Sequence, residues 1–417
     1  MGKLRKIKKI SKETFSSLEV RNYRLYFIGQ AISLCGTWMQ SIGQAWLVLQ
    51  ITHSGTQLGL VIAAQTVPIL FLGPWGGLIA DRFPKRKLLF FTQSISALLA
   101  LLLGALVLYH SVQLWMVYML AFSLGLVNTI DNPTRQTFIM ELVGKEKLTN
   151  AVSLNSIEVN LARVVGPAIG GILIASLGLA PLFILNGISF IAVIYALHLM
   201  NEAEFSRIAT PVKKAAGQLM EGFRYVKSNP VLFDTLIMMA IIGTLTYEFS
   251  VSLPLLAQFT FHGTAQTYAI ISVALGVGSM LGGLYVANIK KRSQKNLVNN
   301  AFLFGATVLL AAVMPTFLLE LLAIVLVGFF SINFLSNGNV ILQLESAPDM
   351  RGRVMSLWAV AFLGSTPIGG PIIGWIGQHF GPRYSLLVGG LSALFAAYVG
   401  LRSLRRREKI NFTKAGI

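Results

Sequence analysis

The chain has 417 residues, 54% of them hydrophobic and only 12% charged, with a net charge of +18 and a mean hydropathy of +0.68. An ordinary soluble domain is roughly 25% charged, so a water-soluble fold and a disordered chain are both excluded. The basic balance is then read against a membrane and not nucleic acid, and a single cysteine, Cys35, rules out an internal disulfide or a cysteine-based metal site.

Residues 1–24 are basic but lack an apolar run and a small-residue cleavage site, and read as a cytoplasmic tail. Twelve apolar stretches follow, at 25–50, 57–80, 88–108, 114–132, 153–176, 182–200, 231–256, 266–288, 297–315, 318–340, 354–376 and 384–402. Each is close to the ~20 residues that cross a bilayer. Of the 34 Lys and Arg, 32 lie in the tails and connections of one side; Arg383 alone lies on the other, and Arg163 lies inside a stretch. The positive-inside rule places both termini in the cytoplasm of a multi-pass protein of a bacterial cytoplasmic membrane. The expected fold class is an all-α polytopic membrane protein with twelve transmembrane helices in two six-helix pseudo-repeat halves. The expected organisation is a tail at 1–24, a half at 25–200, a linker at 201–230, a half at 231–402 and a tail at 403–417.

The first stretch carries Gln30, Ser33, Thr37, Ser41 and Gln44 on one helical face, with Trp38 beside them. Such a face is a cavity wall or a set of interhelical hydrogen bonds. The second stretch ends in Gly76-Gly77-Leu78, and the eighth in Gly282-Gly283-Leu284, 206 residues on. Gly166-Pro167-x-x-Gly170-Gly171 in the fifth matches Gly370-Pro371-x-x-Gly374 in the eleventh, 204 residues on. Two matches at nearly half the chain length predict a parallel repeat.

Charges inside apolar stretches normally face a bundle interior, since they cost ~2.5–3.5 kcal/mol at the bilayer centre. Arg163 lies near the midplane, and a transport or gating role competes with a structural pair. Glu158, five residues away, lies on another face. Glu248 suits proton or substrate binding. Asp131, Asp234 and Glu345 lie near cytoplasmic ends, within reach of water. Thr244 and Tyr247 in the seventh stretch and Asn333 and Asn337 in the tenth add polar positions. In the linker, Val212, Ala216, Leu219, Phe223 and Val226 follow a helical spacing, predicting a helix on the membrane surface.

The segment Gly77-x-x-x-Asp81-Arg82-x-x-Lys85 resembles the loop between the second and third helices of the major facilitator superfamily, with Pro84 in place of its glycine. The resemblance implies that Asp81 docks near the eleventh helix and that Gly77, Asp81, Arg82, Lys85, Arg135 and Arg353 take part in gating. Asp131-Asn-Pro133-Thr-Arg135-Gln, Leu148-Thr-Asn150-Ala151, Glu221-Gly-Phe-Arg-Tyr-Val and Arg351-Gly-Arg353-Val-Met-Ser are similar to one branch, that of macrolide efflux pumps and enterobactin exporters. The Gly166-Pro167-x-x-Gly170-Gly171 run resembles the superfamily's antiporter motif. In that superfamily the first, fourth, seventh and tenth helices line the path, and many drug–proton antiporters carry an arginine in the fourth. Here that stretch, Leu114 to Ile130, has none, so coupling falls to Glu248, Glu158 or Asp131.

No nucleotide-binding Gly-x-x-x-x-Gly-Lys-Ser/Thr run occurs, and the five histidines form no metal or catalytic cluster. The expectation is a secondary active transporter, not an enzyme, without cofactor or metal and driven by a proton gradient. It would work as a monomer in the lipid bilayer, without nucleic acid, exporting an amphipathic small-molecule substrate. A lipid or lysolipid flippase of the same fold is the alternative, ahead of a nutrient importer.

Overall fold

The computed structural model describes residues 15–206, 218–287, 293–347 and 350–414. The start of the N-terminal tail, the end of the C-terminal tail, and Val212 and Ala216 of the linker pattern lie outside the described residues.

Among the described residues every regular element is helical. The first three are α1 (Arg21–Thr52), α2 (Gly55–Arg82) and α3 (Lys85–Leu108). Leu114–Leu177 is 64 residues long, about 96 Å at 1.5 Å per residue, against a hydrocarbon core of ~30 Å. It breaks at Gly144, whose φ of 69° and ψ of 178° leave the helical region, so 114–143 is α4 and 145–177 is α5. Then come α6 (Ala180–Leu199), α7 (Gln218–Ser228), α8 (Pro230–Thr260), α9 (Ala265–Ala287), α10 (Gln294–Val313), α11 (Phe317–Leu344), α12 (Arg351–His379) and α13 (Pro382–Lys414). Ten described helices are long and apolar enough to cross a membrane. The Gly144 break makes two crossings of the longest, and α1, at 32 residues, is long enough despite its polar positions. The total is consistent with twelve.

The chain forms two compact units. One comprises Met1–Gln44 and Phe71–Val212, the other Ala45–Leu70 and Lys213–Ile417. The last turns of α1 and the first half of α2 therefore belong with the second unit.

In the first unit, Pro133 sits inside α4 and has no N–H to give the Thr129 carbonyl. Gly76 of α2 packs there instead; a Cβ at Gly76 would overlap that carbonyl oxygen, so a Cα–H faces it. Asn22 closes the basic end by donating to Asn201 O at 2.9 Å and accepting from Asn201 N at 3.1 Å. Tyr23, Tyr26, Leu89, Phe138 and Leu197 form the core there, with Tyr26 and Phe138 edge to face at 5.4 Å.

The second unit repeats the glycine device. Gly278 and Gly282 of α9 meet the Val325 and Phe329 carbonyls of α11, and Gly328 meets Leu275 O. Gly76 and Gly282, 206 residues apart, thus do the same work. A second seam joins α2 to α12, where Gly55 and Gly59 lie against the Gly374 and Gly370 backbone. Gln378 Oε1 clasps it, accepting from Ser54 Oγ at 2.6 Å, Thr56 Oγ at 2.8 Å and Thr56 N at 3.1 Å. Asn229 starts α8 by accepting from Val231 N and Leu232 N, with Pro230 at the first position. In α7, Val226 is buried while Met220 and Phe223 are exposed. Glu221 pairs with Arg353 at 2.5 Å, and Tyr225 Oη accepts from Ala347 N at 3.0 Å.

Candidate functional site: buried charges in the spans

The extension of α4 through Pro133 changes the sequence expectation. Arg135, assigned to a connection, lies in the helix one turn past Asp131, so the fourth helix does carry an arginine. Thr134 and Thr137 hydroxyls donate to Ile130 O and Pro133 O, knitting the helix across the proline. Asp131 does not reach water: it is 2% exposed. Its Oδ1 accepts from Thr92 Oγ at 2.6 Å and Gln93 Nε2 at 2.8 Å, and its Oδ2 pairs with Arg135 Nε at 2.6 Å. Glu158 of α5 is also buried, with Oε1 unpartnered; Arg135 is the cation that acts on it, and the Tyr26 hydroxyl is buried and unpartnered too.

The polar face of α1 splits. Gln30 and Ser33 are buried without hydrogen-bond partners for their side-chain atoms, whereas Thr37 and Ser41 are exposed and Gln44 is half-buried. Trp38 lies between them under Arg163, whose guanidinium carbon is 5.0 Å from the ring centroid. Pro167 lies inside α5, and Gly166 beside it packs so tightly on α1 that a Cβ would lie 2.6 Å from Trp38 Cβ and 2.7 Å from Cys35 O. Gly170 faces Met39, with a Cβ 3.2 Å from its Cγ and 3.6 Å from its Cα and O, and Gly171 is buried.

Of the expected gating residues, Lys85, Arg135 and Arg353 have partners inside their own units. Lys85 pairs with Glu141 at 2.5 Å. The neighbouring Arg86 donates to Leu197 O at 2.7 Å and His198 O at 3.1 Å and so closes α6. Asp81 and Gly77 are half-buried and Arg82 is exposed. Asp234, also expected near water, is buried: Ser403 and Gln294 donate to it and Arg407 pairs with it at 3.1 Å. Glu345 is exposed, as expected.

In the second unit, α8 is interrupted. A π-helical turn, Ile242–Thr246, ends with Tyr247 N donating to Ile242 O, and the ladder resumes only where Val251 and Ser252 donate to Glu248 O. Glu248 itself has non-helical φ −82°, ψ 44°. Its side chain is 3% exposed, with Oε1 unpartnered, and faces Thr366 and the bare backbone of Gly369 and Gly370. A Cβ at Gly370 would stand 3.2 Å from Gly59 O and 3.6 Å from Glu248 Oε2, so the carboxyl group borders the α2–α12 seam. Thr244 donates to Ala240 O, and Tyr247 packs against Phe249, Phe304 and Phe362. Asn333 and Asn337 are 1% exposed and packed inside α11's surroundings; Asn333 Nδ2 bonds its own helix at Phe329 O. Asn333 Oδ1 and both Asn337 side-chain polar atoms have no hydrogen-bond partner among the described residues.

Sequence reasoning passes over Glu320, 1% exposed with Oε1 unpartnered near the start of α11. An acidic residue within an apolar stretch was the signal. Gln378, Gly55 and Gly59 had none, because their role is purely tertiary. Among the described residues no cluster of His, Cys, Asp and Glu could hold a metal ion.

Residues 12–414 match the family model described as a transmembrane secretion effector of the MFS type. The chain belongs to that family. It is therefore a major facilitator transporter and a multi-pass membrane protein. It is 27% identical to the staphyloferrin A transporter of Staphylococcus aureus (strain NCTC 8325 / PS 47), over 89% of this chain and 93% of that one. It is 24% identical to the enterobactin exporter EntS of Shigella flexneri, over 89% of each. Identity to the multidrug efflux pump Tap of Mycolicibacterium fortuitum is 26%, over 89% and 93%. Among solved structures, a bacterial homologue of the lysosomal transporter Spinster superposes with a TM-score of 0.73 at 14% identity, covering 92% of this transporter and 96% of the other. The nucleoside transporter NupG gives 0.73 at 14%, covering 92% and 99%; both show the fold alone.

Proposed function

We propose that the transporter exports amphipathic small molecules, a siderophore or a drug, in exchange for protons by alternating access, with both termini in the cytoplasm. Relatives named for siderophore transport and export and for drug efflux, similar along nine-tenths of the chain, support the direction and the substrate class. The observation that carries the coupling is Glu248. Its carboxyl group is buried at a helix break, no ion pair to it exists among the described residues, and it borders the glycine seam between α2 and α12. A buried carboxylate without a cation is costly. Protonation stabilises the closed packing and proton loss to the other side loosens it. Asp131, by contrast, has its charge met by Arg135, Thr92 and Gln93, and serves as a fixed structural anion.

The test uses proteoliposomes with and without a pH gradient, after a secretion and drug-susceptibility profile of a deletion strain has supplied the substrate. Glu248→Gln keeps substrate binding and passive exchange but loses gradient-driven transport. Gradient-driven transport surviving in that variant removes Glu248 and leaves Glu158. Uptake of labelled lysolipid in place of drug or siderophore replaces the export reading with lipid movement.

A further inference from the structure

The first unit holds four charged groups well inside its spans, and three of them form one cluster. Asp131 takes Arg135, Thr92 and Gln93. Glu158 also answers to Arg135. Arg163 is left over. It lies five residues beyond Glu158, on another side of α5, and more than about 20 Å from either end of that helix at 1.5 Å per residue. That distance is beyond the reach of an arginine side chain to water at a membrane surface. No ion pair or hydrogen bond joins Arg163 to any described residue. Its Nε is buried and unpartnered, and its one described contact is the Trp38 ring at 5.0 Å.

A guanidinium cannot shed its charge, and a span does not keep an uncompensated cation without a use. The ring face under it contributes a cation–π contact but accepts no N–H bond. The guanidinium sits over the ring face with no described hydrogen-bond partner for its donors. Gly166 packs on Trp38 Cβ and on Cys35 O, which seats the backbone that carries the ring. Beside it, Thr37 and Ser41 are exposed polar side chains within a span.

We propose that Arg163, seated on Trp38, is the recognition subsite for an oxyanion of the transported molecule, so that the substrate is an organic anion bearing a carboxylate or comparable group and not a bare organic cation. This rests on the export reading and narrows it. The Trp38 face, which would otherwise attract a cation, is already occupied by Arg163, so cations are disfavoured twice.

The experiment is equilibrium binding to the purified full chain, with citrate, salicylate, tetraphenylphosphonium and lysophosphatidylglycerol as separate probes, for the wild type, Arg163→Gln and Arg163→Lys. Wild type binds citrate or salicylate, Arg163→Gln weakens that binding at least about tenfold, in line with losing hydrogen bonds to a charged group, and Arg163→Lys loses less. Tetraphenylphosphonium binding does not weaken in either variant. If Arg163→Gln does not fold, the lysine variant still decides, because its fork geometry is lost while its charge remains. Arg163-dependent binding of the lysolipid alone keeps the oxyanion subsite but assigns it to a lipid head group, which overturns the export reading and not the subsite. Unchanged anion affinity in both variants, or no binding of any anionic probe by the wild type, overturns the proposal. Normal secretion by a deletion strain refutes export without touching these binding results.

Discussion

The carbonyl oxygen of Thr244 in α8 lies against the Cα of Gly369 in α12, in the space that a Cβ would need. The break at Glu248 takes that carbonyl out of the regular ladder, and the bare glycine lets α12 cover it. Gly369→Ala therefore forces backbone apart, at a cost of about 1–3 kcal/mol. Thermal unfolding in detergent should show the lower midpoint. An unchanged midpoint would mean that the α8–α12 contact is looser than the geometry described here.

Gly166 and Gly170 sit four residues apart but face different things. Gly166→Ala must displace Trp38 and the Cys35 backbone, whereas Gly170→Ala needs only a small shift of the Met39 side chain at Cγ. Transport assays should find the first variant impaired and the second near wild type. Equal behaviour of the two would show that close packing of α5 on α1 is not what the Gly166-Pro167 run supplies.

Asp131→Asn leaves the half-buried Arg135 without its main partner. Breaking a buried pair from one side costs about 3 kcal/mol. Asp131→Asn combined with Arg135→Gln should recover part of the loss, a coupling readable in a double-mutant cycle. Strict additivity of the two single effects would contradict the ion pair.

Glu221→Lys places like charge against Arg353 and tests whether α7 is held by that pair. Limited proteolysis of the linker should accelerate severalfold, because a docked helix protects its neighbours from cleavage. A Tyr225→Phe variant, which loses only the acceptor for Ala347 N, should have a smaller effect.

Much of this architecture is readable from residues alone, and the exceptions have physical reasons. Glycine offsets of 204 and 206 locate the repeat because small residues mark where helices touch, and Gly76 and Gly282 do touch carbonyls in equivalent places. Arg135 was misplaced because Pro133 reads as a helix end; two threonine hydroxyls and a neighbouring glycine make it a helix interior instead. Asp131 and Asp234 read as surface charges because their partners, Thr92 and Gln93 or Ser403 and Arg407, are distant in sequence. Asn333 and Asn337 carry the polarity of a cavity wall and are buried, since periodicity gives a face without saying what covers it.

The brace formed by α7 has a consequence for how the molecule is assembled. Glu221 and Tyr225 are bonded to Arg353 and Ala347, all within the second unit. Cutting the polypeptide ahead of Gln218 would sever neither bond. The helix thus travels with the downstream fragment as its first folded piece, and two separately synthesised fragments would divide the transporter without dividing this contact.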